Sequence, residues 1–132
     1  MQSTITKIST AVAYTTLAST DLDRAERYYR DVLGFDVERM PSPSNGLMVH
    51  AGQGTGLSIY ERPTPPHCDA TAMTLLVEDL DAAMRDLRAH GVTFEEYDLP
   101  YMKTTNGVAV EGPTKASWFK DPDGNILSLV QM

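Results

Sequence analysis

Cysteine is nearly absent from this chain, and long apolar runs and an excess of positive charge are absent altogether. Cys68 is the only cysteine, so an intrachain disulfide is impossible and a reducing, cytoplasmic location is expected. No run approaches the roughly 18 apolar residues of a membrane span, and the N-terminal segment MQSTITKIST lacks the pattern of a secretory signal. Lys and Arg number 11 against 18 Asp and Glu, a net charge of −7, which argues against nucleic acid or an anionic membrane as a partner.

Two segments of the sequence share one helix design. DLDRA at 21–25 has a counterpart in DLDAA at 79–83. Asp21 or its neighbour Thr20, and Asp79, are predicted N-caps, because a side-chain oxygen can accept hydrogen bonds from the unpaired N–H groups of a first helical turn. Gly34 and Gly91 are suited to end the two helices. The 3–4 spacing predicts two amphipathic helices, with apolar stripes formed by Leu22, Ala25, Tyr29, Val32 and Leu33, and by Leu80, Ala83, Met84 and Leu87.

Apolar, β-prone segments repeat around these helices. GLMVH at 46–50 matches ASWFK at 116–120, and LSIYE at 57–61 matches LSLVQ at 127–131. Further strands are predicted before each helix, at 11–18 and 71–77, and after each helix, at 35–39 and 92–97. These strand pairs lie farther apart in the sequence than the two helix starts do, which indicates an insertion in the second half, within 98–113.

Each half therefore reads strand, helix, strand, strand, strand. The sequence predicts an α+β fold in which two βαβββ modules, residues 1–62 and 67–132, are joined by the stiff linker 63–66. One compact domain results, with a helix on the outer face of each sheet and a half-open, barrel-like cleft between the inner faces. The segment DPDGN at 121–125 predicts a hairpin turn, with Pro122 second in the turn and Gly124 at positive φ.

Three segments carry a resemblance to a known family: DLDRAERYYRDVLGF at 21–35, VEDLDAAMRDLRAHGV at 77–92 and WFKDPDGNILSLV at 118–130. In this order, inside a repeated βαβββ unit, they resemble the vicinal oxygen chelate superfamily of glyoxalases, bleomycin-resistance proteins and extradiol dioxygenases. The resemblance implies a homodimer. In the metal-using members it also implies a cleft metal, held by His, Gln or Glu from the first and last strand of each module.

The positions that the resemblance assigns to those metal ligands hold other residue types here. The family spacing points to Tyr14, Ser58, Ala72 and Ser128. Alanine has no donor atom, and a neutral serine is a poor ligand beside carboxylate or imidazole. A shift of one residue turns each side chain to the other face, and a shift of two reaches another set without metal ligands: Thr16, Tyr60, Thr74 and Val130. We therefore expect a cleft with no metal and no cofactor.

The alternation of side chains along the strands predicts which residues line the cleft. Tyr14, Ser58 and Ser128 should point inward, and so should Thr16 and Tyr60. The repeat makes Met48 and Trp118 equivalent neighbours of the cleft, although Trp118 is equally well explained as core. These aromatic and hydroxyl side chains favour a neutral or aromatic small-molecule ligand. The predicted function is a metal-free, bleomycin-resistance-like binder of a small molecule.

An enzyme remains the alternative, with no catalytic residue assigned. It would be a lyase, isomerase or dioxygenase that uses unrecognised metal ligands, or acid–base chemistry by Tyr14 or His50. His90 precedes the helix-ending glycine and suits a structural role, while His67 follows the proline linker in a loop. The inserted segment, with its Asn106-Gly107 turn signal, is predicted either as a lid over the cleft or as a longer solvent loop.

Overall fold

Two four-stranded sheets, each carrying one helix, make up the fold. The computed structural model describes residues 8–41 and 45–132. Strand order is β1-β4-β3-β2 in the first sheet and β5-β10-β9-β8 in the second, and β6 and β7 form a separate hairpin. The elements are β1 Thr15–Ser19, α1 Leu22–Arg27, β2 Asp36–Arg39, β3 Leu47–His50, β4 Gly56–Glu61, β5 Thr71–Leu76, α2 Leu80–Ala89, β6 Asp98–Leu99, β7 Met102–Lys103, β8 Ala109–Glu111, β9 Thr114–Lys120 and β10 Ile126–Gln131.

The predicted α+β fold with two βαβββ modules is confirmed. In each sheet the first and last strands of the module pair in parallel, β1 with β4 and β5 with β10. The remaining pairs are antiparallel. The first sheet precedes residues 63–66 in the chain and the second follows them, and across the described residues the two sheets do not close into a barrel.

The first helix begins after Asp21, and not after the alternative Thr20, and the second begins after the predicted Asp79. The carboxylate of Asp21 accepts a hydrogen bond from the N–H of Arg24 at 3.1 Å, and Asp79 accepts one from Ala82 at 3.1 Å. These bonds satisfy donors that have no partner within a first helical turn. The first helix continues past α1 as a π-helical turn, Tyr28–Val32. Gly91, which follows α2, has φ +92°, so the predicted left-handed end is confirmed there.

The helices cover one face of each sheet and leave the other face open. On β4, Leu57 and Ile59 are buried against the helices, whereas Tyr60 is exposed and Ser58 is half-buried. This alternation follows from the two-residue period of a strand. We call the face away from the helices the open face; it corresponds to the inner faces of the predicted cleft.

The predicted strand at 92–97 is wrong. Phe94 makes a single bridge to Phe119, and the N–H of Glu95 donates to the carbonyl of Trp118 at 2.8 Å, but no ladder follows. The segment binds to the insertion instead, because the N–H of Tyr97 donates to Thr104 Oγ1 at 2.8 Å. The insertion also supplies β8, which pairs with β9 in place of the missing outer strand.

The turn signals of the second module are confirmed. Asn106 and Gly107 both have positive φ, +54° and +81°, which is the conformation of a tight two-residue hairpin turn. In DPDGN the N–H of Gly124 donates to the carbonyl of Asp121 at 3.0 Å, and Gly124 has φ +87°. Both turns form where glycine tolerates the left-handed conformation.

The DPDGN turn also joins the two modules. Asp121 Oδ2 accepts from the hydroxyl of Tyr29 at 2.7 Å, and Asn125 Nδ2 donates to the carbonyl of Ala18 at 3.0 Å. Asp123 Oδ1 accepts from the Arg24 guanidinium at 2.6 Å. Asp121, Asp123 and Asn125 therefore all bind the first module. This cross-module role goes beyond the turn chemistry that the sequence predicted.

Candidate functional site

A pair of hydroxyl groups lies at the centre of the open face of the first sheet. Thr16 and Met48 are the neighbours of Ser58 on the two adjoining strands, so their side chains share one face. Thr16 Oγ1 and Ser58 Oγ are 3.0 Å apart and share a hydrogen bond. The structure thus brings three of the predicted ligand-binding residues into one row.

The second module repeats this row with a larger side chain. Ser128 lies between Thr74 and Trp118 in register. The Trp118 indole donates to Thr71 Oγ1, 3.2 Å away on β5, and therefore passes over β10. Ser128, on that part of β10, is only 2% exposed. Tyr97 packs edge-on against Trp118 with ring centroids 5.6 Å apart, so the indole is held from two sides.

Large apolar side chains on or beside the open face remain exposed. Tyr14 is 51% exposed, Tyr60 is 42% exposed and Leu76 is 72% exposed. Alternation places Tyr60 on the same side as Ser58, and places Leu76 on the same side as Thr74. Exposed aromatic and aliphatic surface on one face is typical of a ligand or partner site.

His50 also lies on the open face, at the edge strand pair β2–β3. Met48 and His50 alternate with the buried Val49, which puts both side chains on the same side. His50 Nε2 lies 3.3 Å from Glu38 Oε1, and both side chains are solvent-exposed. The structure brings the histidine together with this carboxylate and not with the Thr16–Ser58 hydroxyl pair.

The residues present do not fit the metal that the resemblance implies for metal-using members. Ala72 has no donor and sits where the register slips, because Ile126 pairs with Thr71 and the next residue, Leu127, pairs with Met73. Ser128 is a neutral hydroxyl that is only 2% exposed. Within residues 8–41 and 45–132, no group of three or more His, Cys, Asp or Glu side chains is placed to hold a metal ion.

Two depressions lie apart from the Thr16–Ser58 pair and from Trp118. A cavity of about 720 Å³ is lined by residues of both modules, including Leu33, Phe35, Leu75 and Leu87. A groove of about 510 Å³ runs beside α2 and is lined by three cationic side chains, Arg85, Arg88 and Lys115. Neither was predicted from the sequence, because strand alternation points only to the inner faces of the sheets.

The class of protein follows from this architecture of two βαβββ modules with a polar row on the open face of each. The chain belongs to the glyoxalase/bleomycin resistance protein/dioxygenase superfamily, whose sequence profile matches residues 11–129. No curated protein sequence matches it. In the part of the chain that is described, no helix has the length and apolar content to cross a membrane.

Solved structures share the fold over nearly the whole chain. The protein SMU.1112c is 26% identical, with 94% of this chain and 99% of that chain covered and a TM-score of 0.69. TnmS3, an antibiotic binding protein from Streptomyces sp. CB03234, is 24% identical, with 92% and 97% covered and a TM-score of 0.65. The fosfomycin resistance protein FosX from Listeria monocytogenes is 15% identical, with 93% of each chain covered and a TM-score of 0.70.

Proposed function

We propose that this chain binds a neutral or aromatic small molecule on its open face, without a metal ion, and leaves the molecule unchanged. The observation that carries the proposal is the Thr16–Ser58 hydroxyl pair, 3.0 Å apart, on the strands that the family resemblance assigns to a metal site. Two neutral hydroxyls offer one donor and several acceptor positions to a ligand. They offer little to a divalent cation, which is held far better by carboxylate or imidazole.

The surroundings of this pair suit an aromatic ligand. Tyr60 and Tyr14 present exposed rings, and Met48 provides an adaptable apolar contact. Trp118 is the predicted wall on the second module, fixed by Thr71 and Tyr97. We propose that Ser128, the buried register partner of Trp118 on β10, supports this wall.

The enzyme alternative is favoured by one observation, the placement of His50 beside Glu38. A carboxylate at this distance can orient an imidazole, as acid–base chemistry requires. This form of the proposal needs a substrate that spans from the Thr16–Ser58 pair to the edge of the sheet. In this alternative the protein would convert the bound molecule chemically, whereas in the proposed function it leaves the molecule unchanged.

The homodimer and the cytoplasmic location stay proposals. A homodimer would cover the exposed Tyr60 and Leu76 on the open face, and the single exposed Cys68 suits a reducing compartment. TnmS3 is an antibiotic binding protein, but at 24% identity it supports the fold alone. The binding proposal therefore rests on the residues of this chain.

Trp118 is the only tryptophan and gives a direct test. A panel of neutral aromatic compounds is titrated while the emission of Trp118 is followed, and the bound compound is then recovered for mass spectrometry. The proposal expects a saturable change in emission, weakened in Ser58→Ala and Thr16→Val, with the compound recovered intact. The matched control is Thr93→Val, because Thr93 is an exposed threonine outside the row.

Two results would count against binding without conversion. A chemically altered product, lost in His50→Ala, would establish the enzyme alternative. A response unaffected by both Thr16→Val and Ser58→Ala would remove the hydroxyl pair from the site.

A further inference from the structure

The two modules pack against each other through a pair of equivalent junctions, and only one junction is filled. In the repeat, the loop at 121–125 corresponds to the loop at 51–55. Both loops are closed by the same hydrogen bond, from the N–H of the first residue to the carbonyl of the fifth, at 2.9 Å. The loop at 121–125 contacts α1 and its π-helical turn, and by the repeat the loop at 51–55 should meet α2.

The filled junction is built from large and polar side chains. Asp121 accepts from the buried Tyr29 hydroxyl, and Asp123 accepts from Arg24. Three of the four equivalent positions in the other junction are small or apolar, and Gln53 takes the place of Asp123. Leu87 stands where the repeat has Tyr29, and Ala51 stands where it has Asp121. The second junction therefore lacks both the ring and the carboxylate that fill the first.

Burial differs between the two junctions. Tyr29, Ala25 and Leu17 are 0%, 1% and 4% exposed. Their equivalents are Leu87, Ala83 and Leu75, and all three are only half-buried. Apolar groups at a junction between modules gain free energy when they are covered, so the partial exposure marks unfilled space.

That space is the cavity of about 720 Å³ found between the modules. Most of its lining comes from helix-side residues such as Leu75 and Leu87. Thr74 and Leu76 of the open face also reach it, at the edge strand β5, whereas Thr16, Ser58 and Trp118 do not line it. Small-molecule pockets commonly span about 300–1,000 Å³, with mostly apolar walls and a few polar groups.

We propose that this cavity, which we call the inter-module cavity, is a second binding site, and that it takes an uncharged aromatic small molecule. The first module contributes Leu33 and Phe35, and the second contributes Met73 and Leu87. A bound ring would take the place that Tyr29 fills in the other junction and would join the two modules. The inference is independent of the proposed function on the open face.

The charge of the lining selects the ligand class. Among the described residues that line the cavity, none is Lys, Arg or His, and Asp86 is the one carboxylate. An anion would lose its hydration without gaining a cationic partner. The polar groups of Gln53, Thr55 and Asp86 suit a ligand with one hydrogen-bond donor.

Indole, an uncharged bicyclic aromatic with one N–H donor, is a suitable probe. Methyl-labelled protein is titrated with indole and followed by NMR. We expect saturable shifts at the methyl groups of Met73, Leu75 and Leu87. Indole-3-acetate should bind at least about tenfold more weakly, because its carboxylate finds no cation there.

A cavity-filling variant provides the second arm. Leu87→Trp should weaken indole binding by about tenfold or more by occupying the space. Val110→Trp is the matched control, since it adds an equally large ring to a 65%-exposed position that does not line the cavity. Ala83→Leu fills the same cavity and replaces Leu87→Trp should that variant fail to fold.

Each result decides the proposal. Absence of saturable shifts in the unsubstituted protein would overturn it, and so would shifts confined to the methyl groups of Thr16 and Met48 on the open face. Shifts that persist unchanged in a folded cavity-filling variant would also overturn it. Methyl shifts that depend on protein concentration without indole would show that a second copy of the chain covers the cavity, which contradicts a small-molecule site.

Discussion

The hydroxyl of Tyr29 donates to the buried carboxylate of Asp121 at 2.7 Å, and so links two residues from different modules. Asp121 Oδ1 also accepts from the N–H groups of Asp123 and Asn125. Burial raises the pKa of Asp121 even though these hydrogen bonds lower it. The bond therefore connects the helix of one module to the hairpin turn of the other at a site where an unpaired group is costly.

Loss of this one hydroxyl should measurably destabilise the protein. Tyr29→Phe removes a donor from a buried charged acceptor, so we expect the free energy of unfolding to fall by about 1.5–3 kcal/mol. Urea denaturation measures the change. Tyr28→Phe is the neighbouring control, because the Tyr28 hydroxyl makes only a 3.4 Å contact to the Lys120 carbonyl. Equal losses in the two variants would contradict a specific role for the Tyr29–Asp121 bond.

Asp123 should make the stability depend on pH. Burial would raise its pKa, but the nearby Ser19 hydroxyl, hydrogen bonds from Thr20 and the Arg24 charge outweigh burial and lower the pKa below 3.8. A lowered carboxyl pKa contributes stability above the unfolded value, and this is lost as pH falls through the folded value. Asp123→Asn should therefore cost about 2 kcal/mol at neutral pH, and the difference from the unsubstituted protein should shrink as pH falls below 3.8.

Urea unfolding of both proteins across this pH range tests the prediction. Asp31→Asn serves as the control, since Asp31 pairs with Arg30 at the surface and such pairs contribute about 0–1 kcal/mol. A cost for Asp123→Asn that stays constant or grows towards low pH would contradict a lowered pKa for this carboxyl.

Gly56 is required by the close approach of β3 and β4. A Cβ at this position would lie 2.4 Å from the carbonyl oxygen of Val49, a backbone atom that cannot move aside cheaply. We expect Gly56→Ala to lower the free energy of unfolding by about 1–3 kcal/mol. Gly52→Ala is the matched control, because a Cβ added there would meet nothing within 4 Å and its φ is not left-handed. Thermal and urea unfolding of the pair measure the difference, and similar values would refute the clash.

The elements that could be predicted from the sequence are those whose signals are local. Asp21 and Asp79 indicate helix starts through cap chemistry, and Gly124 indicates a turn. The hydroxyl row could also be predicted, because strand alternation and the repeat put Thr16 and Ser58 on one face. These features depend on neighbours in the chain or on the repeat itself.

The features that were missed depend on distant contacts. Residues 92–97 have a strand-like pattern, but Thr104 competes for the backbone of Tyr97 and no periodicity shows this. The direction of the Trp118 side chain depends on its hydrogen bond to Thr71, 47 residues earlier in the chain. The inter-module cavity does have a sequence signal. The repeat aligns Leu87 with Tyr29, and the smaller leucine side chain leaves space that a comparison of the two halves reveals.

Metal content is the most direct test of the proposal that the open face binds its ligand without a metal ion. Untagged protein is analysed by inductively coupled plasma mass spectrometry as purified and again after dialysis against Zn²⁺, Ni²⁺, Mn²⁺ or Fe²⁺. We predict well below one equivalent of any metal per chain under both conditions. Retention of close to one equivalent of metal per chain, lost in Ser58→Ala or Ser128→Ala, would contradict the proposal. The open face would then be a metal site like that of the metal-dependent enzymes of the superfamily.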